Sequence, residues 1–203
     1  MGMEAPNPRV TMDDPTEPSD RVRAFGNQLV DVHLWLRDQL DQLRDDVDAF
    51  LDDPGPDPAS QPSRPSRDLP NVRNLRDLRA HCLTFCSALT RHHTGEDTGP
   101  FPVLAAEVPE LRPVIDELVR DHRLVTDALR RVEEVLDSLG RMPEHDEARR
   151  RRVRGELDTL AALLETHFSY EERRLVSALN DLGALSPDGS RPDFLLTAAE
   201  LDS

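Results

Sequence analysis

Leucine, valine and phenylalanine recur at three- and four-residue intervals in four stretches of the chain, and proline-, glycine- and acid-rich segments separate them. That spacing gathers apolar side chains on one face of an α-helix. The first stretch, from about Asp20 to Leu51, carries Leu29, Leu36, Leu40, Leu43 and Val47 on one stripe, with Asp20 placed as an N-cap. The second, from about Asn71 to Asp97, repeats Leu75, Leu78, Cys82, Phe85 and Leu89 until "TGPFP" stops it. The third, from Pro109 to Gly140, carries Leu111, Ile115, Leu118, Val125, Leu129, Val132 and Leu136. The fourth, from Glu147 to Leu182, carries Leu157, Leu160, Leu164, Leu175 and Ala178.

Four amphipathic helices of similar length predict an all-α, up-down-up-down four-helix bundle over residues 20–182. Residues 1–19 show no period and are expected to form a disordered arm. A Pro-rich linker spans 52–70, and the tail 183–203 contains "FLLTAAEL", read as a short docked helix.

The stripes are interrupted by polar residues. His33, His92, His122 and His167 each stand where the pattern calls for leucine, one per helix. In an up-down-up-down arrangement, His33 and His122 lie about 12 residues below the tops of their helices, and His92 and His167 about 20 above the bottoms of theirs. At ~1.5 Å per residue the four meet in one layer to within about a helical turn. Glu96 and Glu171 follow His92 and His167 by four residues, so each pair offers a nitrogen and an oxygen from one helix face. Buried imidazoles need partners for two nitrogens, and buried carboxylates need cationic compensation. Four histidines and two glutamates can hold two metal ions, and imidazole with carboxylate and without thiolate favours iron or manganese.

His93 and Asp97 are also four apart, so two registers compete at the end of the second helix. At 100° per residue His92 and Glu96 lie closer to the centre of the stripe. His93 stands as an extra ligand candidate if Gly95 loosens the turn. His81 is about three turns from the layer and reads as a core histidine; His145 falls in a turn. Tyr170, between His167 and Glu171, reads as a packing residue and as a candidate for the shell around the metal.

Composition narrows the function. The net charge of −15 disfavours nucleic acid and anionic membranes as partners. No signal-like core and no apolar run of ~20 residues is evident, which points to the cytoplasm. Cys82 and Cys86, four apart on a helix, read as buried free thiols. The basic run Arg149–Arg154 reads as a solvated helix start.

In order along the chain, "DVHLWLRDQLDQL", "LTRHHTGEDTGPFP", "LVRDHRLVTDAL" and "THFSYEERRLVSAL" resemble the hemerythrin-like, or HHE cation-binding, family. The resemblance implies an oxo- or hydroxo-bridged di-iron centre held by His33, His92, Glu96, His122, His167 and Glu171. It implies a small-molecule partner, O2 or a related species such as H2O2 or NO, in a sensing or stress-protective role. A di-iron oxidase or oxygenase acting on a small organic substrate is the rival, and iron storage or a structural metal bundle is the third reading. Oxygen-carrying members place two histidines four apart on the third helix; here Leu118 and Thr126 flank His122 at that spacing. The absent histidine is expected to leave an extra coordination position, which His93 fills only by a rearranged helix end.

Overall fold

The computed structural model describes residues 25–52, 75–139 and 146–185. The N-terminal arm, Asp20, the bulk of the Pro-rich linker, His145 and "FLLTAAEL" lie outside them. The described elements are α1 (Phe25–Asp52), α2 (Leu75–Thr98), a short α3 (Pro100–Glu107), a 3-10 turn (Pro109–Leu111), α4 (Arg112–Leu139) and α5 (Glu147–Leu185). Among the described residues there is no strand, and no helix is long and apolar enough to cross a membrane.

The four long helices form a ring in which α1 packs on α2 and α5, and α4 packs on α2 and α5. Cross-helix pairs fix the directions. On α1 and α5, Gly26 meets Asn180 and Arg154 meets Asp48 and Asp52. On α1 and α2, His33 meets His92 and His81 meets Asp46. Asp97 meets His122 and Arg79 meets Asp137 between α2 and α4, and Glu117 meets Tyr170 and Arg131 meets Glu156 between α4 and α5. Rising numbers on one helix meet falling numbers on its neighbour, so every neighbouring pair is antiparallel, as the pattern predicts.

Local chemistry sets the helix ends. Asp146 caps α5: its Oδ1 accepts from the backbone N–H of Arg149 at 3.1 Å. Arg149 itself and Arg154 pair with acids, so the basic run is the solvated helix start that the sequence suggests. At the other end of the bundle, Gly26 lets α1 approach α5 closely. A Cβ there would lie 2.5 Å from the Val176 carbonyl oxygen. The Gly26 N–H, unpartnered within its own helix, donates to Asn180 Oδ1 at 2.9 Å.

One boundary expectation needs correction. "TGPFP" ends α2 but does not end helical structure, because Pro100 opens α3. A proline at a first helical position loses no intrahelical hydrogen bond. The Gly99 N–H closes α2 by donating to the Gly95 carbonyl at 2.9 Å. Helix α3 then lays Phe101 and Leu104, both fully enclosed, into one end of the bundle.

The core is in two parts. A large cluster runs from Val32 to Leu51 on α1 and includes Leu78, Phe85, Leu89, Val125, Val132, Leu157, Leu164 and Phe168. A smaller one joins Phe25, Leu29, Phe101, Leu104, Ile115, Leu118, Leu175 and Leu179. Between them along every long helix lies a layer of buried histidines and glutamates.

Candidate metal centre

The layer contains His33 from α1, His92, His93 and Glu96 from α2, His122 from α4, and His167 and Glu171 from α5. None is more than 7% exposed. Their donor atoms fall into two groups. His33, His92, Glu96 and Glu171 bring four donors within 4.8 Å of one another, and His93, His122 and His167 bring three.

The groups meet at the glutamates. Glu96 Oε1 lies 3.2 Å from His92 Nε2, and its Oε2 lies 3.6 Å from His122 Nε2. One carboxylate thus faces both groups with a separate oxygen for each. Glu171 Oε2 lies 3.5 Å from His33 Nε2 and 3.6 Å from His167 Nε2. The Nε2 atoms of His33 and His92 are 3.1 Å apart. Neighbouring ligands on a six-coordinate ion with bonds of ~2.1 Å are separated by about 3 Å.

His93 departs from the sequence expectation. It is 5% exposed, its ring stacks on His122 at 4.0 Å, and it joins the three-histidine group. The helix end is not rearranged, because α2 runs unbroken to Thr98. The two-register choice assumed that α2 faces the core with a single narrow stripe. In the ring of helices α2 is flanked by α1 and α4, so adjacent residues 100° apart can both face inward. His92 turns to His33 of α1, and His93 turns to His122 of α4. Asp97 does not replace Glu96; it sits behind His122, with its side chain 34% exposed.

Outside the donors lies a set of acids that sequence reasoning missed. His122 Nδ1 donates to Asp97 Oδ1 at 2.9 Å, and His33 Nδ1 donates to Glu172 Oε1 at 3.0 Å. His167 Nδ1 lies 3.7 Å from Asp121 Oδ2. A carboxylate can only accept, so the first two contacts put the proton on Nδ1 and turn the Nε2 lone pair to the interior. The arrangement runs around the ring. Each of these acids adjoins an inward residue on its own helix and faces the histidine of the next helix: Asp97 beside Glu96 bonds the histidine of α4, Glu172 beside Glu171 bonds that of α1, and Asp121 beside His122 lies near that of α5 without a hydrogen bond.

Tyr170 packs against the smaller apolar cluster, as the sequence suggests. Its hydroxyl donates to Glu117 Oε2 at 3.0 Å and so holds none of the donors. His81 lies outside the layer, paired with Asp46 at 2.8 Å. Cys82 and Cys86 are free, buried, and 3.8 Å apart at sulfur. Contact with Cys82, and then burial, pushes the Cys86 thiol up out of its ordinary range.

The interior atoms fit metal ions. Eight buried atoms of the layer have no hydrogen-bond partner: His93 Nε2, His122 Nε2, both nitrogens of His167, and all four oxygens of Glu96 and Glu171; all but His167 Nδ1, which faces Asp121, belong to the two donor groups or the glutamates between them. Burial pushes all five imidazoles below the ordinary histidine range, His167 to about 3. It pushes both glutamates up, Glu171 to about 8. A low-dielectric site full of unpartnered lone pairs is what a bound cation satisfies.

Antiparallel helices that carry such a layer define a bundle-type metal-binding protein. A model of the hemerythrin HHE cation-binding domain matches residues 25–179, and the chain belongs to that family. No curated protein and no solved structure matches the chain.

Proposed function

We propose that the chain holds two iron ions and binds or reduces a small oxygen or nitrogen species, O2, peroxide or NO, in a sensing or stress-protective role. The observation that carries this reading is the pair of donor groups joined by Glu96 and Glu171. His33, His92 and the two glutamates would hold one ion, and His93, His122 and His167 with the same glutamates would hold the other. Manganese suits the same donors.

A redox-active ion pair supplies electrons and coordination positions for a small molecule. The protein's own residues supply the rest. Asp97 and Glu172 fix the orientation of His122 and His33. Phe168 stacks on His33 at 4.1 Å, and Phe101 lies along His122 at 5.6 Å. With every donor residue at most 7% exposed, these rings and the two apolar clusters keep bulk water away. Such an enclosure favours small neutral molecules over an organic substrate. The acidic surface makes nucleic acid and anionic membranes poor partners, and we place the protein in the cytoplasm.

The test is metal analysis of protein made with iron supplied, with optical spectra of the reduced form before and after O2, H2O2 and NO. About two irons per chain and prompt spectral change are expected. A single four-coordinate zinc overturns the reading, as does a two-iron form inert to all three reagents.

A further inference from the structure

Of the three outer acids, Glu172 is the one clamped from behind. Arg37 stands one turn after His33 on α1. Its Nη1 donates to Glu172 Oε1 at 2.9 Å, and its Nε donates to Glu165 Oε2 at 2.8 Å. Ser169 Oγ donates to the other oxygen of Glu165 at 2.9 Å. The guanidinium carbon lies 5.2 Å from the centroid of Phe168, the ring that stacks on His33. Glu172 Oε1 therefore accepts from His33 and Arg37 together, with its side chain 24% exposed. Asp97 and Asp121 are 34% and 32% exposed, and Asp121 stops at 3.7 Å from its histidine.

A histidine ligand needs one nitrogen protonated and held and the other bare and aimed. The acceptor behind it decides which tautomer forms and how strongly the ligand donates. A half-buried glutamate can swing to water unless something holds it, and the planar guanidinium of arginine suits that task better than an ammonium. We infer that Arg37 is a positioning residue for the His33 half of the metal centre: by locking Glu172 behind His33 it makes the group of His33, His92, Glu96 and Glu171 the tighter-binding of the two. The inference rests on the two-ion reading above. The bland role for Arg37 is a surface clamp between α1 and α5. Exposed ion pairs of that kind add little and act on the whole fold, not on one ion.

Cobalt(II) separates these roles, because its ligand-field absorption distinguishes a site with three imidazoles from one with two. The full chain is stripped of metal and titrated anaerobically with cobalt(II), with circular dichroism of each stripped variant to confirm the helices. Wild type should take two ions in two steps with different spectra. Arg37→Met should weaken the His33-group step on the order of 10-fold, and Glu172→Gln by about 10–100-fold, with the other step unchanged. The double variant should be no weaker than Glu172→Gln, because Arg37 acts through that carboxylate, and Arg37→Lys should recover part of the loss. Two ions bound with Arg37→Met and Arg37→Lys unchanged would overturn the inference. So would equal weakening of both steps, or additive losses in the double variant. A wild-type chain that takes one cobalt ion overturns the two-ion reading and this inference with it.

Discussion

Removing the metal should destabilise the protein out of proportion to the few atoms involved. The eight unpartnered atoms of the layer are all buried. Each buried polar group without a partner costs ~1–3 kcal/mol, so the set represents ~8–24 kcal/mol before any relaxation. A typical domain has only ~5–15 kcal/mol of net stability. The stripped layer therefore cannot keep this arrangement unrelieved; it must share protons, admit water or loosen. Ion binding reverses most of that penalty and adds stability by linkage, ~4 kcal/mol for each site filled at about a thousand times its Kd. For a chain of 203 residues, at roughly 2–4 °C per kcal/mol, each ion should raise Tm by ~8–16 °C. The assay is thermal unfolding by circular dichroism under argon, with chelator-stripped protein before and after two equivalents of ferrous iron. Hydrogen exchange on the same samples should show the loosening at the turns that carry His33, His92, His122 and His167. Magnesium, which prefers oxygen ligands, should not reproduce the shift. Superimposable melts of stripped and iron-loaded protein, with equal exchange at these turns, would refute the reasoning.

His92→Ala and His93→Ala should each lose about one ion per chain, with different residual spectra, because the two histidines serve different donor groups; full metal content in His93→Ala would show that its stacking on His122 is packing alone. Gly26→Ala should lower stability by ~1–3 kcal/mol despite a better helix former, since its Cβ would meet the Val176 carbonyl oxygen at 2.5 Å; an unchanged Tm would mean that α1 and α5 can separate there freely. Phe101→Ala removes a 2% exposed ring from above His122 and should cost ~3–5 kcal/mol, with faster capture of the metal by a chelator. Cys82 and Cys86, 2% and 5% exposed, should stay silent to a thiol reagent in the native protein and react only on unfolding.

The bundle was legible because its signal is periodic and long. Every apolar stripe residue singled out on α1, from Leu29 to Val47, is buried, and so are Ile115 to Leu136 on α4. The depth argument was legible for a related reason: helix rise is constant, so counting residues from predicted ends brings His33, His92, His122 and His167 to one level. The outer acids were not legible by that method. Asp97, Asp121 and Glu172 lie beside the stripe, where any acid reads as a solvated face, and their partners sit on neighbouring helices. A local signal did exist. Each directly adjoins an inward histidine or glutamate, in "ED", "DH" and "EE", and a residue 100° off the inward direction points at the next helix. Helix α3 was hidden by the habit of reading Gly-Pro as a stop, although proline breaks only what precedes it.

His93 changes the chemistry more than any boundary does. With four histidines the layer offers eight donors, counting both oxygens of each glutamate. With His93 inward it offers nine, against about twelve positions on two six-coordinate ions. Helix α4 lacks a second histidine, since Leu118, one turn before His122, is a fully enclosed core residue. The imidazole count is restored from α2 by two neighbours in sequence. The donor groups are then unequal in imidazoles, three against two, while Glu96 and Glu171 face both. The coordination position expected from the absent histidine is thus within reach of His93 with α2 unbroken. His93 is backed by its ring contacts with His122 and His167, whereas His122 has a carboxylate behind it, so the two histidines share a donor group without sharing its electronics.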